Sequence, residues 1–304
     1  MRTRQVLKMP SNKKENWASL GLIANCIVWG TTFPLAKLFL TRIDPIMMVF
    51  YRFLVATLLL GIYLIIKREK LFANFRYGLI LGVLLSVTFL TQMFGLRYTT
   101  ASNSAFITNL FVVFIPLLSF FIWKKPPTLA RGLAIILAMS GLWLLTGGVT
   151  QMNLGDLVTV GTAFSCSFHI LFSDVYMKKG LNAWVVSFQQ FLVVMILSFL
   201  YVVFTKVPFA IADQPTFWII LYLGVIATLV VLTIQLVAQK YVNPIKAALI
   251  FILEPVFATI LALAWGLETF GMQKALGGAL ILTAMLVSEL PLGKILMRTG
   301  SQAA

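Results

Sequence analysis

The stretch Tyr241–Glu268, YVNPIKAALIFILEPVFATILALAWGLE, decides how this chain is read. It is long enough for one helix to cross a bilayer. Near its middle it carries a carboxylate, Glu254, and a proline, Pro255. An ionisable group at that depth is costly and marks a functional site by default. A proline there removes one backbone hydrogen bond and bends the helix. The same stretch has a counterpart 143 residues earlier: Tyr98–Gly141 lies over Tyr241–Ala284 without a gap. Tyr98 falls on Tyr241, Ala105 on Ala248, Ile107 on Ile250, Leu110 on Leu253, Val113 on Val256, Phe114 on Phe257 and Leu118 on Leu261. The chain reads as a duplicated membrane unit.

Composition agrees. Of 304 residues 60% are hydrophobic and only 11% charged, against roughly 25% charged in soluble domains. A soluble fold of this size cannot hide so much apolar surface, so the solvent is lipid. The net charge of +15 does not point to nucleic acid, because the cations sit in short runs between apolar segments, as membrane topology requires. Cys26 and Cys166 lie inside apolar segments and offer neither a disulfide framework nor metal-ligand spacing. No metal and no cofactor is expected. The first apolar segment is too long for a signal-peptide core and is kept as a span.

Ten spans of about 20 residues can be drawn, each sufficient to cross a hydrocarbon core. They are Ala18–Leu40, Pro45–Ile66, Tyr77–Leu96, Ser102–Trp123 and Thr128–Thr146, then Leu154–Met177, Ala183–Phe204, Thr216–Gln239, Ile245–Trp265 and Gly271–Leu290. The expected fold is all-α and polytopic. A basic tail (1–16) precedes a first five-helix unit (17–149), a second unit (150–291) and a C-terminal tail (292–304). Several connections place a proline at the next helix start (Pro45, Pro127, Pro215, Pro244), where its missing N–H costs nothing. With the N-terminus inside, eighteen Lys and Arg fall on inner segments and four (Arg42, Arg97, Lys206, Lys274) on outer ones, with Lys37 and Arg52 inside spans. That bias predicts both termini cytoplasmic. Five spans is an odd number, so the second unit enters the membrane inverted. Gln92 falls on Gln235 at the same offset of 143; an offset of 138 puts Phe50 on Phe188, Phe53 on Phe191 and Tyr63 on Tyr201. Inverted repeats are a transporter architecture with the substrate site near the midplane.

The patterns GLRYTTASNSAFITNL, VAQKYVNPIKAALIFILEPVFATILALAWGLE and VWGTTFPLAK…DPIMMVFYRF resemble the EamA-type branch of the drug/metabolite transporter (DMT) superfamily. The resemblance runs from about Trp17 to Glu289, and LEPVFA with the later Gly266-x-Glu268 is its most specific part. It implies ten helices in two inverted five-helix repeats, a central cavity, and export of small metabolites, commonly amino acids or related compounds. The implied location is the bacterial inner membrane. The first repeat departs from the pattern, with Phe111-Val112 where the second has Glu254-Pro255, and Lys124-Lys125-Pro126 at a turn that is often Gly-Glu.

Polar side chains inside spans turn away from lipid, so their spacing predicts the inner face. Asn25, Trp29 and Thr32 form one stripe; Thr88, Gln92 and Gly95 another; Ser102, Ala105 and Asn109 a third. Thr159, Thr162, Cys166, His169 and Ser173 line one face of the sixth span, and Thr228, Gln235 and Gln239 one face of the eighth. The candidate cavity residues are Asn25, Trp29, Thr32, Arg52, Gln92, Asn109, Thr162, His169 and Gln235, with Glu254 and Pro255 as gating or coupling residues. Each has a structural alternative. His169 binds substrate, carries protons, or donates a neutral interhelical hydrogen bond. Arg52 receives a substrate carboxylate, or pairs with a helix end or carbonyl. Gln92 and Gln235 are ligands or glue between helices; Trp29 stacks on substrate or fills volume. Glu254 couples protons, or braces the bend by accepting backbone N–H groups, the latter being favoured. Lys37 is expected to snorkel, and Asp174 to lie at the inner interface. The fifth and tenth spans carry small-residue ladders instead, Ala130/Ala134/Ala138 and Gly271/Ala275/Ala279, which permit close packing within the chain or in a homodimer.

The function expected is a secondary transporter exporting a small metabolite by alternating access, with membrane lipids around it and no nucleic-acid partner. An intramembrane lipid-modifying enzyme is the alternative from another class, but one His and no carboxylate cluster poorly suit metal or nucleophilic chemistry. A passive channel would show charge rings or a filter loop. No phosphate-binding loop is present to use ATP.

Overall fold

A computed structural model describes residues 12–99, 101–124, 128–146, 153–211, 213–264 and 271–288. All regular structure among them is helical. In chain order the helices are α1 (Asn12–Phe39), α2 (Pro45–Ile66), α3 (Phe75–Tyr98), α4 (Ala101–Thr108), α5 (Phe111–Trp123), α6 (Leu129–Thr146), α7 (Leu154–Lys178) and α8 (Ala183–Phe204). There follow α9 (Gln214–Gly224), a π-helical segment (Val225–Val230), α10 (Val231–Ala238), α11 (Pro244–Phe251), α12 (Leu253–Ala264) and α13 (Met272–Ser288). Eight described stretches are long and apolar enough to cross a membrane, and a shorter apolar helix covers Leu129–Leu144. The Lys125-Pro126-Pro127 turn, the Gly266-x-Glu268 motif, Trp265, Gly148 and most of both tails lie outside the described residues, and residues 12–16 of the expected tail are already helical.

Helix starts follow from local chemistry. Proline occupies the first positions of α2, α9 and α11, and Asp44, Asp213 and Asn243 cap those helices by accepting from backbone N–H groups. Asn153 and Asp156 form a reciprocal capping box at α7. The polar contacts of the connections sort into two ends. At one end Arg97 meets Asp44 at 3.5 Å, Arg42 meets Asp213 at 2.5 Å, and Thr99 donates to Asp156. There too Lys37 Nζ donates to the Leu96 and Thr99 carbonyls at 2.7 Å each, closing the C-terminus of α3. At the other end Gln189 donates to the Leu71 and Ala73 carbonyls, and Lys246 meets Glu15 at 3.1 Å. Lys37 thus reaches helix carbonyls instead of merely snorkelling to water. Asp174 pairs with Lys178 one turn away.

Three spans differ from the continuous helices expected. The fourth breaks between α4 and α5 and the ninth between α11 and α12. In the ninth, Pro255 has no N–H to offer the Phe251 carbonyl, which ends α11. In the fourth, the Asn109 side chain donates to the Ala105 carbonyl that its own backbone N–H also uses, and tight bonds run from Leu110 to Ile107 and Val112 to Asn109. The breaks at Asn109 and Ile252 are 143 residues apart. In the eighth span the π segment shifts the register of the helix, with Thr228 Oγ1 donating to the Leu223 carbonyl at 2.7 Å.

α6 packs along α13, α3 along α7, α2 along α8, and α1 along α12 and α10. Two positions show why small residues are needed. A Cβ on Gly155 would lie 2.6 Å from the Gly95 carbonyl, so α3 and α7 touch backbone to backbone. A Cβ on Gly30 would lie 2.9 Å from Ala258 N, the corresponding contact of α1 with α12. The alanine ladder of α6 is buried, but Ala275 and Ala279 of α13 face outward; α13 meets its neighbours through Gly277, Gly278, Ile281 and Ala284. The ladder drawn on the tenth span is therefore one face away from the packing face within this chain.

Candidate functional site

Two apolar clusters make up the core. One gathers buried residues of α5 to α7 and α11 to α13, the other those of α2, α3, α8, α9 and the π segment, and α1, α4 and α10 contribute to both. Trp29 packs against both. Between them lies a narrow cavity of about 70 Å³, room for a few water molecules. Trp29, Thr32 and Phe33 enter from α1, Arg52 from α2, and Leu85, Thr88, Phe89 and Gln92 from α3. Cys166, His169 and Ile170 come from α7, Leu232 and Gln235 from α10. Thr108, Phe111, Phe251 and Glu254 flank the two helix breaks. No described residue of α6 or α13 lines it.

The lining pairs off at fixed sequence offsets. Trp29 and Cys166, Thr32 and His169, and Phe33 and Ile170 are each 137 residues apart. Phe89 and Leu232, Gln92 and Gln235, Thr108 and Phe251, and Phe111 and Glu254 are each 143 apart. Arg52 stands 138 before Gln190, which is no lining residue but whose Oε1 accepts a 2.9 Å hydrogen bond from His169 Nε2. Phe53 and Phe191, aligned at that offset, meet edge to face with centroids 5.8 Å apart.

The charged groups break this pairing. Arg52 is buried, its Nε donating to Thr228 Oγ1 at 2.8 Å and its guanidinium lying over the Phe89 ring at 4.6 Å. Among the described residues none accepts from its terminal nitrogens, and no carboxylate comes within ion-pair distance. Glu254 is also buried, and no described donor reaches its carboxylate. The backbone N–H bonds expected to brace the Pro255 bend are not among its contacts.

Of the expected residues, Trp29, Thr32, Arg52, Gln92, His169, Gln235 and Glu254 come together here. Asn25, Asn109, Thr162 and Pro255 do not line the cavity. Asn25 donates to the Val231 carbonyl at 2.9 Å, and Thr162 shares a 2.7 Å hydrogen bond with Thr91. Asn109 turns back on its own helix, and Pro255 bends the chain beside the wall. Asn25 ties α1 to the first residue of α10, and Trp29, through Nε1 to the Ala227 carbonyl at 3.2 Å, ties it to the π segment. Thr108, Phe111, Phe251 and Gln190 were not expected. Apolar or lone polar residues in an apolar run carry no signal alone, although the offset of 143 places Phe111 opposite Glu254. Among the described residues no group of three or more His, Cys, Asp and Glu could hold a metal ion.

The model of the EamA-like transporter family matches twice, over residues 16–147 and 153–289. An uncharacterized transporter of Archaeoglobus fulgidus is 30% identical over 277 residues, covering 91% of this chain and 87% of that protein. One of Methanothermobacter thermautotrophicus is 25% identical, covering 89% and 85%. A solved crystal structure superposes with a TM-score of 0.76 at 17% identity, over 90% of this chain and 97% of the other; that likeness concerns the fold alone.

Proposed function

The chain belongs to the EamA-like transporter family, and we propose that it is a secondary transporter that exports small zwitterionic metabolites, amino acids or close relatives, by alternating access. The single observation behind the substrate class is the cavity's chemistry. Among the described residues it holds a guanidinium with no carboxylate partner and a carboxylate with no cationic partner, walled by Trp29, Phe33, Phe89, Phe111 and Phe251. Unpaired charges of both signs away from bulk water are costly unless a ligand completes them. An α-amino acid supplies both complements: its carboxylate fits the planar fork of Arg52, its ammonium fits Glu254, and its side chain meets the aromatic wall. Glu254 then alternates between the substrate's ammonium and a proton, which couples export to proton entry.

Ten helices in two inverted repeats form the frame of this proposal. The paired offsets of the cavity lining, the equal spacing of the two helix breaks and the Phe53–Phe191 contact all support an internal two-fold axis running through the cavity. The eighteen Lys and Arg on the inner segments, against four on the outer ones, support cytoplasmic termini in a bacterial inner membrane.

Counterflow in proteoliposomes tests the reading. Liposomes loaded with an unlabelled neutral amino acid are expected to accumulate the labelled compound transiently and saturably. The amino-acid amide, lacking the carboxylate, and the deaminated acid, lacking the ammonium, are expected not to compete. Linear flux without counterflow would mean a channel, and chemical conversion of the solute would mean an enzyme; either result overturns the proposal.

A further inference from the structure

A second concavity lies on the outside of the bundle. It is a groove of about 750 Å³ between the first turns of α1, the second half of α2 and the π segment with α10, and Trp184 at the start of α8 borders it. Small residues of α1, Ala18 and Gly21, leave the space; a Cβ on Gly21 would already stand 3.2 Å from Ile234. The walls are apolar, formed by Leu59, Leu60, Leu229 and Val237. They open laterally: Trp17 is 75% exposed, and Leu59, Tyr63 and Trp184 are each exposed by more than two fifths.

One end of the groove differs from the rest. Trp17, Tyr63, Trp184 and Tyr241 gather there, the residue types that sit at the headgroup level of a bilayer. Lys14 Nζ stands 5.9 Å over the Tyr241 ring, Lys67 Nζ 6.0 Å over the Tyr63 ring, and Tyr63 packs against Trp184 at 5.5 Å. Among the described residues neither lysine meets a carboxylate; the neighbouring Glu15 is taken by Lys246. Lys14 lines this mouth and Lys67 stands over the ring of the lining Tyr63, so two ammonium groups sit on the aromatic rim of an apolar slot. In the wall the buried Thr233 hydroxyl has no hydrogen-bond partner among the described residues.

We propose that this groove binds an anionic phospholipid, with its phosphate at Lys14 and Lys67 and an acyl chain along α10. A second copy of the chain fits less well: a helix about 10 Å across exceeds this volume within about two turns. A neutral lipid would leave the two cations without a counter-charge, whereas a phosphate gains from each near the membrane surface. The position matters because α10 has two faces. Thr233, Ile234 and Val237 face the groove, while Leu232 and Gln235 line the central cavity. Lipid in the groove thus bears directly on a cavity wall. The proposal does not depend on which solute is carried.

Detergent-purified protein is heated with phosphatidylglycerol or with phosphatidylcholine added to the micelles, and in parallel is sprayed for native mass spectrometry. The expected result is a rise of several degrees in Tm with phosphatidylglycerol only, and one retained lipid mass per chain. Lys14→Ala combined with Lys67→Ala should remove at least half of that rise while the Tm without added lipid stays put. Ala18→Trp, which fills the slot, should remove it by another route. Equal shifts with both lipids, or a full phosphatidylglycerol shift in both variants, would overturn the proposal. So would a retained second chain in place of lipid.

Discussion

Glu254 and Arg52 face the same cavity without pairing with each other or with any described partner of opposite charge. Because no described backbone N–H depends on the Glu254 carboxylate, Glu254→Gln is expected to change thermal stability by less than about 1 kcal/mol, below the roughly 1–3 of a lost buried charged hydrogen bond. Exchange should continue with weakened affinity and become independent of pH, and accumulation driven by a pH gradient should vanish. A loss of stability, with exchange and gradient-driven flux falling together, would return Glu254 to the bracing role. Arg52→Lys removes the planar fork that a carboxylate needs. We expect at least about a tenfold loss in substrate affinity, or 1.4 kcal/mol, measured by ligand-induced thermal shift, with the unliganded Tm little changed. At this scale the residues that the sequence singles out by unusual polarity, a lone His, an Arg and a Glu in apolar runs, meet at one cavity. It could not separate residues that tie helices together, such as Asn25 and Thr162, from residues that face the cavity, because both lie on the same polar stripe. Gln190, the partner of His169, stands beside Gln189 and three residues after Ser187 in an otherwise apolar span; the offset of 138 that sets it against Arg52 was the signal that could have found it.

Helix packing depends on a few close approaches. Gly155→Val is expected to lower stability by about 1–3 kcal/mol, the usual cost of overpacking, because its Cβ meets the Gly95 carbonyl and Thr99 N. Gly132→Ala, where nothing lies within 4 Å, should be neutral or slightly stabilising, since alanine is the better helix former; thermal unfolding in detergent compares the two. At the start of α9, hydrogen bonds from the Thr216 hydroxyl and backbone hold the Asp213 carboxyl below its ordinary value of 3.8, with Arg42 adding to the effect. A depressed carboxylate contributes stability that is present above its unfolded pKa and lost as pH falls through its folded one. Asp213→Ala should therefore destabilise at pH 7, with the deficit closing only in acid below the usual carboxylate range. The helices were legible as apolar runs of sufficient length. The breaks were not: Pro255 predicted a bend, but Asn109 breaks its span by competing for a carbonyl, and nothing in the π segment's VIATLV marks a shift of register. Those features arise from side chains reaching backbone groups, which periodicity does not see.

For the whole molecule, what was legible was spacing: the offset of 143 read from the sequence also orders the cavity lining. The chemistry was only half legible, because the charged residues stand on one member of each related pair. Single cysteines at positions 69 and 178, in a chain lacking Cys26 and Cys166, test the membrane orientation; a membrane-impermeant thiol reagent added outside intact cells should reach neither. The central claim, that the paired cavity is the transport path, has a natural reporter. The chain holds two cysteines; Cys26 is fully buried, while Cys166 lines the cavity. In the Cys26→Ala protein, reconstituted in liposomes, labelling of Cys166 is measured with a small impermeant thiol reagent applied first outside and then inside. Alternating access predicts modification from both sides, slowed by transported solute and followed by loss of counterflow. Labelling that occurs only after the protein is unfolded, or that leaves counterflow intact, would contradict it.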